Sequence, residues 1–229
     1  MKRNILTALA CAGMMLVAAL MAPASLHAQN EYGITIARVQ YDGGGDWYSD
    51  ERSLPQLLSF VRKNTLLDVA PNEEIVELSS DQLFSYPYLY LTGHGNVQFT
   101  NTEARRLRRY LQGGGFLHID DNYGLDKHIR REMNKVFPDR EFVELPFDHP
   151  IYHTHYDFPN GLPKVHEHDG NPPQGFGILD ENGRVMVFYS HESDLGDGWE
   201  PPEVHNDPPE IRRAALQMGT NILTYAMMN

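Results

Sequence analysis

Two hydrophobic periods alternate along this chain, and that alternation constrains its fold more than any other feature. Ile34 to Gln40 is rich in strand formers and stops at Tyr41-Asp42-Gly43-Gly44-Gly45-Asp46-Trp47. Leu54, Leu57, Leu58 and Val61 then recur at i, i+3, i+4 and i+7, the buried stripe of a helix with Ser53 as its cap and Pro55 in its first turn. Glu74 to Leu78 and Tyr88 to Thr92 read as short strands, and Gly93-His94-Gly95 breaks the second. Thr100 and Glu103 form a capping box for a helix striped by Ala104, Leu107 and Leu111. Arg105, Arg106, Arg108 and Arg109 fall on its outward, solvated face. Phe116 to Ile119 is a buried strand running into Asp120-Asp121-Asn122-Tyr123-Gly124. Asp126 opens a helix whose Ile129, Met133 and Val136 share a face, and Phe142 to Leu145 is the next strand. Strands and helices in this order predict right-handed crossovers and a three-layer α/β/α fold around a mainly parallel sheet.

The rhythm then stops. Pro146 to Gln174 is rich in Pro, Gly, His and Asp without a period, as expected of a long functional loop. Gly177 to Tyr189 resumes as two strands around Asn182-Gly183, a hairpin signal. A second irregular stretch, His191 to His205, leads to Asp207-Pro208-Pro209-Glu210, a helix start, and to a terminal helix striped by Ile211, Ala215, Met218, Ile222 and Tyr225.

Ahead of all this, Lys2 and Arg3 precede an uncharged apolar run from Ile5 to Ala22, followed by the small residues Ala24, Ser25 and Ala28. This is the pattern of a secretory signal peptide over residues 1–28, leaving 29–229 as a single exported α/β domain, periplasmic or secreted. A retained anchor is the competing reading, since the run approaches spanning length. The only cysteine, Cys11, lies inside the run, so the exported product has no thiol nucleophile, disulfide or thiolate metal ligand. A net charge of −12 leaves no basic surplus to displace phosphate counterions, which argues against nucleic acid as partner. No membrane span is expected after cleavage.

In a parallel α/β sheet, ligands bind beyond the carboxyl ends of the strands. Those ends carry Asp46 and Trp47, then His94, then Asp120, Asp121, Asn122 and Tyr123. The irregular loops hold seven of the eleven histidines, at His149, His153, His155, His166, His168, His191 and His205, together with Asp148, Glu192 and Asp194. Imidazole and carboxylate together suit a divalent transition metal such as Zn, and His153-x-His155 or His166-x-His168 supplies two ligands from one extended segment. The same groups also serve as acid/base pairs acting directly on a substrate. Adjacent Asp120 and Asp121 repel each other unless one caps a helix or meets a cation or hydroxyl-rich ligand. His118, within a strand, and His128, on a helix, are expected to be structural.

As a set, Gly43-Gly44-Gly45-Asp46-Trp47-Tyr48, Thr92-Gly93-His94-Gly95-Asn96, the Gly114 to Gly124 segment, Glu144 to Pro150, His166-Glu167-His168-Asp169-Gly170 and Ser193 to Trp199 resemble a bacterial family, domain of unknown function 4159. The resemblance implies a flavodoxin-like fold similar to class I glutamine amidotransferases and trehalose-utilisation type proteins, and a cell-envelope setting. It supplies no activity. Where the amidotransferases present a cysteine after the corresponding strand, this chain has Gly93-His94-Gly95, so thiolate-dependent glutamine hydrolysis is unavailable.

The resulting expectation is an exported domain that binds or hydrolyses a polar, glycan-like small molecule, as a hydrolase or isomerase if an enzyme. Its catalytic set is His94, Asp120, Asp121 and His149. Its ligand contacts are Asp46, Trp47, Asn122, Tyr123, Glu192, Asp194 and Trp199, and its metal ligands are drawn from His153, His155, His166 and His168. The alternative is a non-catalytic module that recognises an envelope protein.

Overall fold

A computed structural model describes residues 33–228; the expected signal segment and Cys11 lie outside the described residues. Seven strands form one sheet in the order β2-β1-β3-β4-β7-β6-β5. These are β1 (Ala37–Gln40), β2 (Glu74–Glu77), β3 (Tyr88–Leu91), β4 (Phe116–Asp120), β5 (Val143–Glu144), β6 (Gln174–Leu179) and β7 (Val185–His191). The first four and β7 run parallel, while β6 lies antiparallel between β7 and β5. The Asn182-Gly183 hairpin thus turns the chain so that β7 enters beside β4.

Alternation along the central strands sorts the core into two apolar clusters. Leu89 and Leu91 of β3 with Leu117 and Ile119 of β4 meet helices α2 (Asn101–Gln112) and α3 (Asp126–Val136). Tyr88 and Tyr90 of β3 with Phe116 of β4 meet α1 (Ser53–Asn64) and the long terminal helix α6 (Pro209–Met228). Both faces of a parallel sheet are thereby covered, as its doubly buried strands require. The capping box of α2 forms as expected. Ser53 does not cap α1: it lies one residue inside, buried, with its hydroxyl accepting from Arg38 at 3.4 Å. Nor is the arginine face of α2 merely solvated, since Arg106 donates to the Leu78 and Ser80 carbonyls and Arg108 to that of Lys135.

The stretch expected to be irregular after β7 contains two short helices, α4 (Leu195–Trp199) and α5 (Pro202–His205). Trp199 explains why α4 exists there. Its indole is fully buried, donates to the Ala215 carbonyl at 2.8 Å and packs at a tilt against Tyr90 and His118, anchoring the segment to the sheet. Among the described residues, no helix is long and apolar enough to cross a membrane.

Candidate functional site

The strand pleat resolves the Asp120–Asp121 pair. Successive side chains of a strand point to opposite faces, so the two carboxylates part company instead of repelling across a shared site. Asp120 turns under α4 and is fully buried. Its carboxylate accepts from the Ser190 hydroxyl at 2.5 Å, the Tyr90 hydroxyl at 3.2 Å and the backbone N–H groups of Leu195 (3.3 Å) and Gly196 (2.6 Å). Burial raises its pKa to about 7 against those donors. Asp120 therefore positions the first turn of α4, with both carboxylate oxygens spent on protein donors where a catalytic role was expected.

Beneath it runs a buried polar chain. His118 takes the Tyr88 hydroxyl on Nδ1 at 2.9 Å and lies 2.9 Å from the Ser190 hydroxyl through Nε2. Ser190 spends its proton on Asp120, so His118 carries its own on Nε2. Burial pushes the imidazole down to about 3, leaving it neutral and structural, as expected.

Asp121 faces the other way. Its Oδ2 sits 2.7 Å from His191 Nδ1 and accepts from the Glu192 N–H at 3.3 Å, while no donor reaches the buried Oδ1. His191 Nε2 has no hydrogen bond among the described residues. Both residues line a cleft of about 460 Å³, together with Gly95, Tyr123, His168 and Glu192. Tyr123 is exposed and stands edge-on to His168, 5.5 Å between ring centres. Glu192 is held by Lys164 at 2.7 Å.

Next to the cleft, Asp194 joins a second cluster. Its Oδ2 lies 3.0 Å from His166 Nδ1 and 2.9 Å from His168 Nε2, and its buried Oδ1 has no partner. His166 also reaches Asp197 (2.8 Å, through Nδ1) and Asp207 (3.0 Å, through Nε2), and His205 Nε2 lies 3.5 Å from Asp197. Hydrogen bonds donated to Asp194 and then to Asp207 hold His166 up to about 9. Burial, with Asp194 and Asp50 alongside, raises Asp197 well above the usual carboxylate range.

The other expected residues divide. His94 and Asp46 pair through Nδ1 at 3.1 Å, and Asp46 also accepts the His94 N–H. Gly93 permits that turn: its φ is +134°, and a Cβ there would fall 2.2 Å from the Tyr41 hydroxyl. The His94 ring thus turns to Asp46, while its neighbour Gly95 lines the Asp121 cleft. Asn122 donates to Ser49 (3.2 Å) and Asp50 (3.0 Å), with Oδ1 buried and unpartnered. Trp47 packs against the core, and Trp199 is fully buried beneath α6 where a ligand contact was expected.

His149 is not brought to the cleft. It borders a separate cavity with Gly183 of the hairpin and Tyr225 of α6, beside the end of the sheet where β7 begins, about one seven-residue strand or roughly 20 Å from Asp121. Its Nδ1 accepts the Ile151 N–H and its ring lies 5.5 Å from that of Tyr225, so it caps a turn. The four expected metal histidines also separate. His153 bonds Asp157 and the Phe147 carbonyl, and His155 packs on Tyr156, whereas His166 and His168 converge on Asp194.

A family model described as domain of unknown function, DUF4159, matches residues 35–227. The chain belongs to this family. No curated protein matches it. The DUF4159 match runs from just before β1 nearly to the end of α6, so both the cleft and the His/Asp cluster lie inside the family domain.

Four participants in this DUF4159 site escaped sequence reasoning: Arg38, Asp50, Asp197 and Asp207. Arg38 is a charged residue inside an apolar strand, a signal in itself. Buried, it donates to the carbonyls of Trp47, Ser49 and Asp50 and stacks 5.4 Å over Tyr90, fixing the loop that carries Asp50 toward Asn122. Asp197 lies in the Ser193 to Trp199 segment on a helix of five residues, too short to show a period. Asp207 reads from sequence only as the start of α6.

Proposed function

We propose that this DUF4159 domain binds a polar, hydroxyl-rich small molecule of glycan type in the Asp121–His191 cleft and hydrolyses it. The observation that carries this is Asp121 itself. A nearly buried carboxylate of a cleft-lining residue holds an imidazole at 2.7 Å with one oxygen and leaves the other, itself buried, without a donor. A carboxylate that orients a histidine fixes its tautomer and ring direction, the arrangement of a general base that takes a proton from water or a hydroxyl. The unsatisfied oxygen lacks a donor that a ligand O–H supplies once the Asp121 side chain rotates toward the cleft, since a buried acceptor gains most from a donor it lacks. Tyr123 offers an exposed ring for a sugar face.

The fold supports a ligand site at the same carboxyl end of the sheet, with the cleft lying beside the β1/β3 switch at the ends of β4 and β7. The order β2-β1-β3-β4-β7 corresponds to the 2-1-3-4-5 order of flavodoxin-like sheets, whose ligands lie beyond strand ends near the switch between β1 and β3. Asp46 and His94 follow those two strands. A flavodoxin-like or amidotransferase-like ancestry with altered chemistry is the reading we favour, with His94 where a nucleophilic thiol would stand. The basic, then apolar, start of the sequence supports export to the periplasm or beyond.

The test is a thermal-shift and hydrolysis screen of the tag-free protein against mono-, di- and oligosaccharides. A binder held at one hundred times its Kd stabilises by about 2.7 kcal/mol. That shift is expected in the wild type and absent in Asp121→Asn, whose own melting temperature stays near the wild-type value. A shift equal in both proteins, or no saccharide binder at all, removes the proposal and leaves the protein-recognition module.

A further inference from the structure

The cluster beyond Asp194 has too much negative charge for its partners. Asp194, Asp197 and Asp207 meet three imidazoles, His166, His168 and His205, and Asp50 lies within hydrogen-bond reach of Asp197. Among the described residues, no Lys or Arg ion-pairs with Asp194, Asp197 or Asp207. Burying carboxylates together without a cation is costly, and the buried Asp194 Oδ1 has no donor. Both facts describe a site whose carboxylates have only imidazoles to balance them.

We infer that His166, Asp197 and His205 form a binding site for one divalent transition-metal ion of the Zn²⁺ type. Each residue offers one donor atom, and the three atoms lie within 4.8 Å of one another. A tetrahedral ion with bonds of about 2.0–2.2 Å sets its donors roughly 3.3–3.5 Å apart, so closure needs only side-chain adjustment. Two imidazoles and a carboxylate select Zn²⁺ or its neighbours over Ca²⁺ and Mg²⁺, which prefer all-oxygen shells. The surroundings fit as well. With Nδ1 of His166 turned toward Asp197, its Nε2 is held by Asp207 at 3.0 Å, the carboxylate–imidazole support that orients a metal-bound histidine. Asp194 bridges His166 to His168, which lines the cleft, so an ion here would stand one side chain away from the Asp121 pocket. Three protein ligands leave a coordination position for water or ligand. His205 is exposed, which opens a path for the ion.

This assignment stands apart from the saccharide reading and is tested without it. Tag-free protein stripped with a chelator is titrated with Zn²⁺ by calorimetry and with Co²⁺ by visible absorption, and its metal content is measured after dialysis. One ion per chain is expected, with d–d bands of a nitrogen/oxygen site. His205→Ala, an exposed change that spares the fold, should weaken Zn²⁺ at least tenfold, and Asp197→Asn at least a hundredfold. His153→Ala should bind as the wild type does. Substoichiometric metal in the wild type, or affinity unmoved by both His205→Ala and Asp197→Asn, overturns the inference and leaves His166 as the imidazolium of an ion-pair network.

Discussion

Two His/Asp-rich regions of this chain look alike as sequence and differ completely in space. In residues 147–157, His149, His153 and His155 are spent one at a time, on a turn N–H, on Asp157 and the Phe147 carbonyl, and on the Tyr156 ring. In residues 166–207, His166 and His168 converge on one buried carboxylate, and Asp197, His205 and Asp207 close around the first of them. The difference lies in what is underneath. The second region is tied to the carboxyl ends of β4 and β7 by a fully buried polar chain, Tyr88–His118–Ser190–Asp120, that ends on the N–H groups of α4. The first is fastened chiefly by apolar contacts of Ile151 and Tyr152 and by Asn221. Histidine content marks loops able to do chemistry; attachment to strand ends selects the loop that gathers it.

If the buried chain is what gathers the second region, breaking it should cost most. Asp120→Ala leaves the N–H groups of Leu195 and Gly196 and two hydroxyls without their acceptor. A loss on the order of 3–5 kcal/mol in chemical denaturation is expected. A loss under about 1 kcal/mol would show that Trp199 alone holds α4. Next in size is Gly196→Ala. A Cβ there would fall 2.7 Å from the Tyr90 hydroxyl, 2.9 Å from Asp50 and 3.1 Å from Asp120. All three are packed, so a cost of about 1–3 kcal/mol is expected. Gly170→Ala, where no atom lies within 4 Å, is the comparison: only backbone strain at φ +72° should register.

The alternating layers were legible because period-2 and period-3.6 patterns are local, and the strands found differ from those expected by only a residue or so at most ends. The capping box of α2 and the Asn182-Gly183 hairpin were legible for the same reason. What local pattern cannot carry is which loop returns to which strand end. His149 follows a strand, yet β5 is an edge strand of two residues, and the chain leaving it falls back along the sheet toward α6. Asp120 and Asp121 were adjacent letters with one expected role; the pleat gave them two. Trp199 reads from the sequence as a rim aromatic for a hydroxyl-rich ligand, whereas Ala215 and Tyr90 bury it.

The smallest effect expected is a slope, and it sharpens the comparison because the first region has nothing equivalent to the buried His118–Ser190–Asp120 chain. Asp120, raised to about 7 from 3.8, keeps its proton in the folded protein while the unfolded chain loses it. Stability from this group therefore falls as pH rises through that window. His118, lowered to about 3 from 6.5, stays neutral while the unfolded chain takes up a proton, so its contribution falls as pH drops through 6.5 toward 3. Between about 4 and 6.5 the two trends oppose each other and largely cancel. Asp194 and Asp50 also act on Asp120, but they are present in both arms of a comparison that changes His118 alone. His118→Gln, which can still meet Ser190, removes one arm and exposes the other. Urea denaturation at pH 4.5, 5.5 and 6.5 should then show the variant gaining stability on acidification relative to the wild type, by on the order of 1 kcal/mol per pH unit. Parallel curves would mean that His118 titrates normally, and the anchor beneath α4 would then owe nothing to a buried neutral imidazole.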